Sequence, residues 1–351
     1  MIEKFLIGTY TKRASKGVYE VELDTDKKQL QNLQLVAETT NPTYVTLSKK
    51  NIIYSVAKEV NGDDVHGGVL VLDGKERPAG TIETDFDKGT NPAYISVDEG
   101  RQLVYTANYH TGVINVYKIA SDGTLAKVDE VVHKGNVGPR PEQADGAHPH
   151  FADLTPDGRL VVVDLGQDRV YLYDVSDNGK LSEVSHLDME AGFGPRHIRF
   201  DADKGVAYLV GELSSNVAVL DYDAAAGKFT VREIHSTIPE DWTEHNGCAA
   251  IRVSNDGRFV YVSNRGNNTI AVFESDAKGS LKFVERASVE GDFPRDFNLS
   301  ADQSLLVVVN QESDNGTVFE RNADTGKLTV VQKDFTVPAA VCVAREAEFL
   351  D

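Results

Sequence analysis

Three arginines, a histidine and a glutamate in this sequence could act together on an anionic substrate: Arg196, Arg265, Arg295, His150 and Glu212. An arginine guanidinium binds carboxylate or phosphate through paired N–H groups and stabilises the charge that develops on an oxyanion. A glutamate or a histidine beside it can accept or donate a proton. The set therefore predicts proton transfer on an anionic substrate.

The spacing of these residues follows a segment that recurs about every 50 residues. Its starts are Pro42, Pro92, Pro149, Pro195, Cys248, Pro294 and Pro338. One residue after each start stand Thr43, Ala93, His150, Arg196, Ala249, Arg295 and Ala339. A second set stands 17 residues after each of the first six starts: Glu59, Tyr109, Gly166, Glu212, Arg265 and Gln311.

The recurring segment has the composition of an antiparallel β-meander. One copy reads GFGPRHIRFDADKGVAYLVGELSSNVAVLDY, with apolar strands separated by short polar turns. Asp-Gly turns recur at Asp122, Asp157 and Asp256, and no stretch has a sustained helical period. This period and strand content are typical of a β-propeller, so we predict an all-β fold with seven blades of four strands.

The seventh blade has too few residues after Pro338 to be complete. We expect the N-terminal segments FLIGTY, GVYEVEL and LQNLQLVAE to supply its other strands, with residues 339–345 as its innermost strand. A blade shared by both termini removes exposed sheet edges and makes residues 1–351 one domain. The largest insertion, HKGNVGPRPEQADGA, is expected to form a long loop over one face.

In a meander, the first strand begins at the same end of the blade where the second strand finishes. Both sets of residues are therefore predicted to meet at one mouth of the central channel. Gln311 of the second set and the neighbouring residues Asn108, Asn264, Asn310, His148 and His197 are predicted to add substrate-binding groups. The other histidines, at positions 66, 110, 133, 186, 235 and 245, fall outside this register and are expected at the surface or in loops.

The sequence predicts neither a metal nor a cofactor. His148 and His150 are two residues apart, but no clear carboxylate partner accompanies them that would complete a metal site. Cys248 and Cys342 lie too far apart in sequence to indicate a disulfide framework or a zinc site. No phosphate-binding loop, dinucleotide fingerprint or nucleophile elbow is present.

The amino-acid composition disfavours two classes of binding partner. The net charge is −19, which argues against nucleic acid or an anionic membrane because phosphate contacts need clustered cations. The first ten residues do not resemble a signal peptide, and no apolar run has membrane-spanning length. We therefore expect a cytoplasmic protein that acts on a small molecule; oligomeric state is not predicted.

Each polar candidate taken singly could instead be a structural contact between blades. The convergence of five charged or basic groups on one mouth favours function. A propeller that binds protein or sugar polymer without catalysis would need apolar and aromatic clusters on that face instead.

The sequence resembles the β-propeller lactonase family, which includes propeller-type 6-phosphogluconolactonases and a fungal carboxy-muconate cyclase. The similarity covers essentially the whole chain and is carried by AHPHFADLTPDG, GFGPRHIRF, YLVGELSSNVAVL, YVSNRGNNTIAVF and GDFPRDF. It implies that His150, Arg196, Glu212 and Arg265 form the active site. The residue before Glu212 is Gly rather than the family's more common Asn.

The resemblance implies hydrolysis of a sugar lactone, with 6-phosphogluconolactone and the pentose phosphate pathway as first expectations. Water would lose a proton to Glu212 or His150, and arginines would hold the oxyanion. Arg295 or Arg265 would bind the substrate's anionic group. Lactone formation by a cycloisomerase and ligand binding without catalysis remain alternatives.

Overall fold

The computed structural model describes residues 1–346, in which seven antiparallel sheets of four strands each form a ring. The closing blade contains β1 (Ile2–Thr9), β2 (Gly17–Asp24), β3 (Gln29–Glu38) and β28 (Ala340–Arg345). The second blade contains β4 (Val45–Leu47), β5 (Ile52–Asn61), β6 (Asp64–Asp73) and β7 (Thr81–Lys88). The third contains β8 (Tyr94–Asp98), β9 (Leu103–Asn108), β10 (Val113–Ile119) and β11 (Leu125–Val132). The fourth contains β12 (Pro149–Leu154), β13 (Leu160–Asp164), β14 (Arg169–Val175) and β15 (Leu181–Asp188). The last three contain β16 (Pro195–Asp201), β17 (Val206–Gly211), β18 (Asn216–Asp223), β19 (Lys228–Ser236); β20 (Gly247–Val253), β21 (Phe259–Arg265), β22 (Thr269–Ser275), β23 (Leu281–Ser288); and β24 (Pro294–Leu299), β25 (Leu305–Asn310), β26 (Asn315–Arg321), β27 (Leu328–Thr336). The predicted seven-bladed propeller is confirmed.

The ring closes as the sequence predicts. Strand β28 forms the inner edge of the closing blade and pairs antiparallel with β1, with Ile7 opposite Val343. The inner strands β4, β8, β12, β16, β20, β24 and β28 contact one another around the channel. The two ends of the chain thus complete one sheet, which closes the ring.

The hydrophobic core lies between neighbouring blades. Tyr208 of β17 packs with Val260 of β21 and Phe273 of β22 in one buried cluster, and each side chain is fully buried. Burying a large apolar side chain contributes roughly 1.5–3 kcal/mol. The outer strands, in contrast, have mixed faces, as in β15, which alternates between partly buried and exposed residues. The inner strands are apolar runs because both of their faces are buried, and the outer strands alternate because only one face is partly buried.

The largest insertion lies between β11 and β12 and includes a short 3₁₀ helix, Pro141–Gln143. Gln143 anchors it, donating from Nε2 to the Leu165 carbonyl oxygen at 2.7 Å and to Asp168 Oδ1 at 2.8 Å. Within residues 1–346, no helix has the length and apolar character needed to cross a membrane.

His133, at the start of this insertion, corrects one expectation. It follows a strand, as a loop residue would, but it is buried rather than exposed. Its Nδ1 lies 2.7 Å from Asp164 Oδ2 and its Nε2 lies 2.9 Å from the Tyr173 hydroxyl. His133 is thus buried against β13 and β14 of the next blade, and the repeat pattern contains no information about such a tertiary contact.

Two carboxyl groups meet in the closing blade, at Glu20 and Glu346. Arg77 Nη2 lies 2.9 Å from Glu346 Oε1 and also pairs with Glu20, and Lys4 Nζ donates to Glu20 Oε1 at 2.8 Å. Burial, followed by the hydrogen bond and the charge of Glu20, raises the pKa of Glu346 to about 7 from its ordinary 4.5. In the folded state the two carboxyl groups therefore retain one proton up to about pH 7.

This carboxyl pair predicts a pH-dependent stability. Because the folded protein binds the proton more tightly than the unfolded chain, the contribution of Glu346 is full below about pH 4.5 and is lost as pH rises through about 7. We expect Glu346→Gln to lose less stability than wild type over that interval. Urea unfolding at several pH values measures it; parallel pH curves for the two proteins would contradict the assignment.

Candidate active site

One mouth of the channel opens into a cavity of about 290 Å³ that gathers most of the predicted residues. From the first set it contains Thr43, Ala93, His150, Arg196 and Arg295, and from the second Tyr109, Glu212 and Arg265. Ala249, Ala339, Glu59, Gly166 and Gln311 are not among its lining residues.

Strand register explains the convergence. The first residue of an inner strand pairs with the last residue of the second strand, as Gly247 does with Arg265 and Pro195 with Gly211. A side chain just after the start of β16 is therefore brought beside one just after the end of β17. Arg196 and Glu212 meet in this way.

Glu212 holds Arg196 and Arg265 together. Its Oε2 lies 3.0 Å from Arg196 Nε, and its Oε1 lies 2.8 Å from Arg265 Nη2. Arg196 Nη1 also donates to the Ala249 carbonyl oxygen at 2.6 Å. Both guanidiniums are thereby fixed at the channel wall, Arg265 through further bonds to the Gly247 and Cys248 carbonyl oxygens at 3.2 and 3.1 Å.

The charges of this triad depend on one another. Burial alone would raise the pKa of Glu212, but Arg265 and Arg196 outweigh it and hold that pKa below its ordinary value. Burial, and then the repulsion of Arg265, lower the pKa of Arg196 to about 9, an effect that Glu212 opposes. At neutral pH the triad is one carboxylate between two guanidinium cations.

His150 is a buried, neutral imidazole at the same wall. Only 5% of its surface is exposed, and its Nδ1 has no hydrogen-bond partner within residues 1–346. Burial, then the charges of Arg196 and Arg295, lower its pKa well below the ordinary histidine value. A neutral imidazole next to the arginines can accept a proton from a water molecule.

Arg295 differs from the other two arginines. It is partly exposed, and it forms no hydrogen bond or ion pair with any of residues 1–346. Its guanidinium carbon lies 5.5 Å from the centre of the Tyr10 ring. This cation is therefore available to an anionic group of a ligand.

The structure places the two other predicted histidines outside the lining of the cavity. His148 stacks on Tyr109 at 4.2 Å, accompanied by a 2.6 Å hydrogen bond between its Nδ1 and the Tyr109 carbonyl oxygen. His197 is buried behind His150, 5.2 Å between ring centres, in a layer with Tyr94. Both residues support side chains that do line the cavity.

The four predicted amides also lie outside the lining. Asn264 bonds to the Thr237 hydroxyl, Asn310 to the Val289 carbonyl oxygen, and Asn108 to the Thr90 carbonyl oxygen. The amide of Gln311 contacts Glu312. Asn108, Asn264 and Asn310 each precede a residue of the second set, and adjacent residues of a strand point in opposite directions, so these three turn away from the channel.

The sequence did not place Tyr10, Lys58 or His110 at the cavity, but all three line it. His110 was expected at the surface, and it is exposed at the rim of the cavity. Tyr10 could have been found. It directly follows β1, the second strand of the closing blade, as Glu212 directly follows β17. It is the seventh member of the second set once the ring is closed.

A larger cavity, of about 530 Å³, occupies the opposite mouth. A layer of aromatic side chains separates the two cavities. Tyr44 lines both cavities, and its ring centre lies 4.3 Å from that of Tyr94. There Arg252 is paired with the buried Asp296 at 3.1 Å. The smaller cavity, with its histidine, glutamate and unpaired arginine, is the better candidate for catalysis.

Within residues 1–346 no group of three or more histidine, cysteine, aspartate or glutamate side chains is arranged to hold a metal ion.

Comparison with known proteins agrees with this architecture. A family model described as "Lactonase, 7-bladed beta-propeller" matches residues 4–345. The chain is 43% identical to the 6-phosphogluconolactonase of Bacillus subtilis over 343 residues, 96% of each chain. A solved structure of a Lactobacillus plantarum protein is 54% identical, with a TM-score of 0.95 over 98% of this chain and 99% of that one.

A second solved structure, the periplasmic gluconolactonase of Pseudomonas aeruginosa, is 29% identical, with a TM-score of 0.89 over 99% of both chains. Fold, cavity and similarity agree along the full length of the repeat array. The chain belongs to the lactonase family of seven-bladed β-propellers.

Proposed function

We propose that this protein hydrolyses a sugar lactone, 6-phosphoglucono-δ-lactone, to 6-phosphogluconate. The observation that carries the proposal is the charge of the cavity. In a chain of net charge −19, its lining contains the cations Lys58, Arg196, Arg265 and Arg295 and a single carboxylate, Glu212. The name of the Bacillus subtilis relative supports the same substrate.

Arg295 is the proposed phosphate-binding group. The sequence left Arg265 as an alternative, but Arg265 is engaged by Glu212 and two carbonyl oxygens. Arg295 has no such partner within residues 1–346, and Lys58 lines the same cavity. A phosphate at Arg295 would leave the lactone ring beside the triad.

We expect Arg295→Gln to lower kcat/KM for the phosphorylated lactone about 10- to 100-fold, mainly through KM, because a charge-assisted hydrogen bond contributes about 1.5–3 kcal/mol. The kcat/KM for glucono-δ-lactone, which lacks the phosphate, should change less than about threefold. Lys282→Gln, at an exposed position of β23, controls for the lost charge. Equal losses on both lactones would contradict a phosphate-binding role.

In the proposed mechanism, His150 takes a proton from water as the water oxygen bonds to the lactone carbonyl carbon. Arg196 and Arg265 stabilise the oxyanion. Glu212 remains ionised between them and keeps them charged and in place. Its low pKa and two arginine partners make it a weaker choice of base than His150, whose pKa rises when a phosphate dianion offsets the arginines.

The proposal is tested by supplying wild-type protein with 6-phosphogluconolactone and, in parallel, glucono-δ-lactone. Faster hydrolysis of the phosphorylated lactone supports it. Activity confined to glucono-δ-lactone would favour the substrate in the name of the Pseudomonas aeruginosa protein. Lactone formation from a carboxylated diene would identify a cycloisomerase, and binding without turnover a ligand-binding propeller.

A further inference from the structure

Tyr10 lies at the cavity in a position equivalent to that of Glu212. It directly follows β1, and its backbone N–H donates to the Ala339 carbonyl oxygen at 3.0 Å, which ties it to the closing blade. The side chain lines the cavity that contains His150, Arg196 and Arg295. Its hydroxyl forms no hydrogen bond with residues 1–346 and is thus available to a ligand.

Two cations lie over the ring of Tyr10. They are Arg295 and Lys12, 5.5 and 5.1 Å from its centre. The charge of Arg295, opposed by burial and aided by Lys12, Arg196 and Arg265, lowers the pKa of Tyr10 below its ordinary value of 10. Besides the arginines, the other titratable groups that line the cavity are Tyr44, Tyr109, Glu212, His150, His110 and Lys58.

Opening a sugar lactone needs a proton donor as well as a base, because an alkoxide is a poor leaving group. Glu212 is ionised and can only accept hydrogen bonds. We propose that Tyr10 is the general acid that protonates the ring oxygen as the lactone opens. This role rests on the proposed lactone hydrolysis.

The step balances. Water bonds to the carbonyl carbon and gives its proton to His150. The carbon–oxygen bond of the ring then breaks, and the ring oxygen keeps the electron pair and takes the proton of Tyr10. The tyrosinate recovers a proton from the His150 imidazolium through water. The new carboxylic acid ionises and releases one proton to the solvent.

The test compares two leaving groups in wild type and Tyr10→Phe. For a sugar lactone the variant should lose about 100-fold in kcat with KM within about threefold, since general acid catalysis contributes about 10²–10⁴. Dihydrocoumarin, whose phenolate leaves without a proton, should be hydrolysed at nearly the wild-type rate. Tyr222→Phe, which removes a partly exposed hydroxyl bonded to Asp157, controls for the substitution.

A second readout is rescue of Tyr10→Phe by an external acid. Its rate on the sugar lactone should rise with the concentration of imidazolium buffer, while the wild-type rate does not. Equal losses on both lactones, absence of rescue, or an unchanged kcat on the sugar lactone would overturn the role of Tyr10. A wild-type protein that accelerates neither lactone would instead refute the proposed function.

Discussion

Replacing Glu212 with glutamine is expected to lower kcat/KM for 6-phosphogluconolactone about 1,000-fold, since loss of one preoriented oxyanion donor costs about 10²–10³ and this change loosens two. Glu212 lies 3.0 Å from Arg196 Nε and 2.8 Å from Arg265 Nη2. A neutral amide cannot offset the burial of Arg196, whose pKa is already lowered to about 9. That pKa should fall further, so the activity that remains is lost at a lower pH than in wild type.

The measurement is the pH dependence of kcat/KM together with the urea midpoint. Removing one partner of a buried ion pair costs about 3–5 kcal/mol of stability, so kinetics are compared only under conditions where the variant is folded. Glu38→Gln, at an exposed position of β3, is the matched control. Wild-type kinetics in Glu212→Gln would show that the triad does not orient the arginines for catalysis.

Replacing His150 with asparagine is expected to lower kcat about 100- to 10,000-fold, the range found for loss of a general base. Because burial, Arg196 and Arg295 depress the pKa of His150, wild-type kcat/KM should remain constant at pH values well below the ordinary histidine pKa of about 6.5. It should fall only in more acidic solution, where the imidazole is protonated and can no longer accept a proton.

His150→Asn should abolish this acid limb as well as most of the activity. A variant that keeps the wild-type acid limb would indicate that another group accepts the proton, and Glu212 would be the first to consider. His186→Asn, on the outer strand β15, controls for the loss of a partly exposed histidine.

The sequence predicted the site to the extent that the repeat determines it. His150, Arg196 and Arg295 follow the starts of inner strands, and Glu212 and Arg265 lie at the ends of second strands. Backbone pairing brings these two points together in any antiparallel meander, whatever the length of the outer loops. A fixed distance from a start was therefore enough to place these residues at one mouth.

The structure departs from the sequence-based expectations where position alone is insufficient. Asn264 and Asn310 adjoin the predicted positions, but one step along a strand reverses the side chain, and both bond to neighbouring loops instead. Tyr10 was missed because its blade is assembled from both ends of the chain. His133 is buried by tertiary contacts with the next blade, such as the 2.7 Å contact between its Nδ1 and Asp164 Oδ2, which a repeat pattern does not contain.

Proton release from freshly generated 6-phosphogluconolactone, recorded against uncatalysed hydrolysis, tests the central claim most directly. With wild type, release should far exceed the spontaneous rate; with Glu212→Gln, it should fall nearly to that rate, while Glu38→Gln behaves as wild type. Release at the spontaneous rate with folded wild-type protein would contradict the claim that this cavity hydrolyses the phosphorylated lactone.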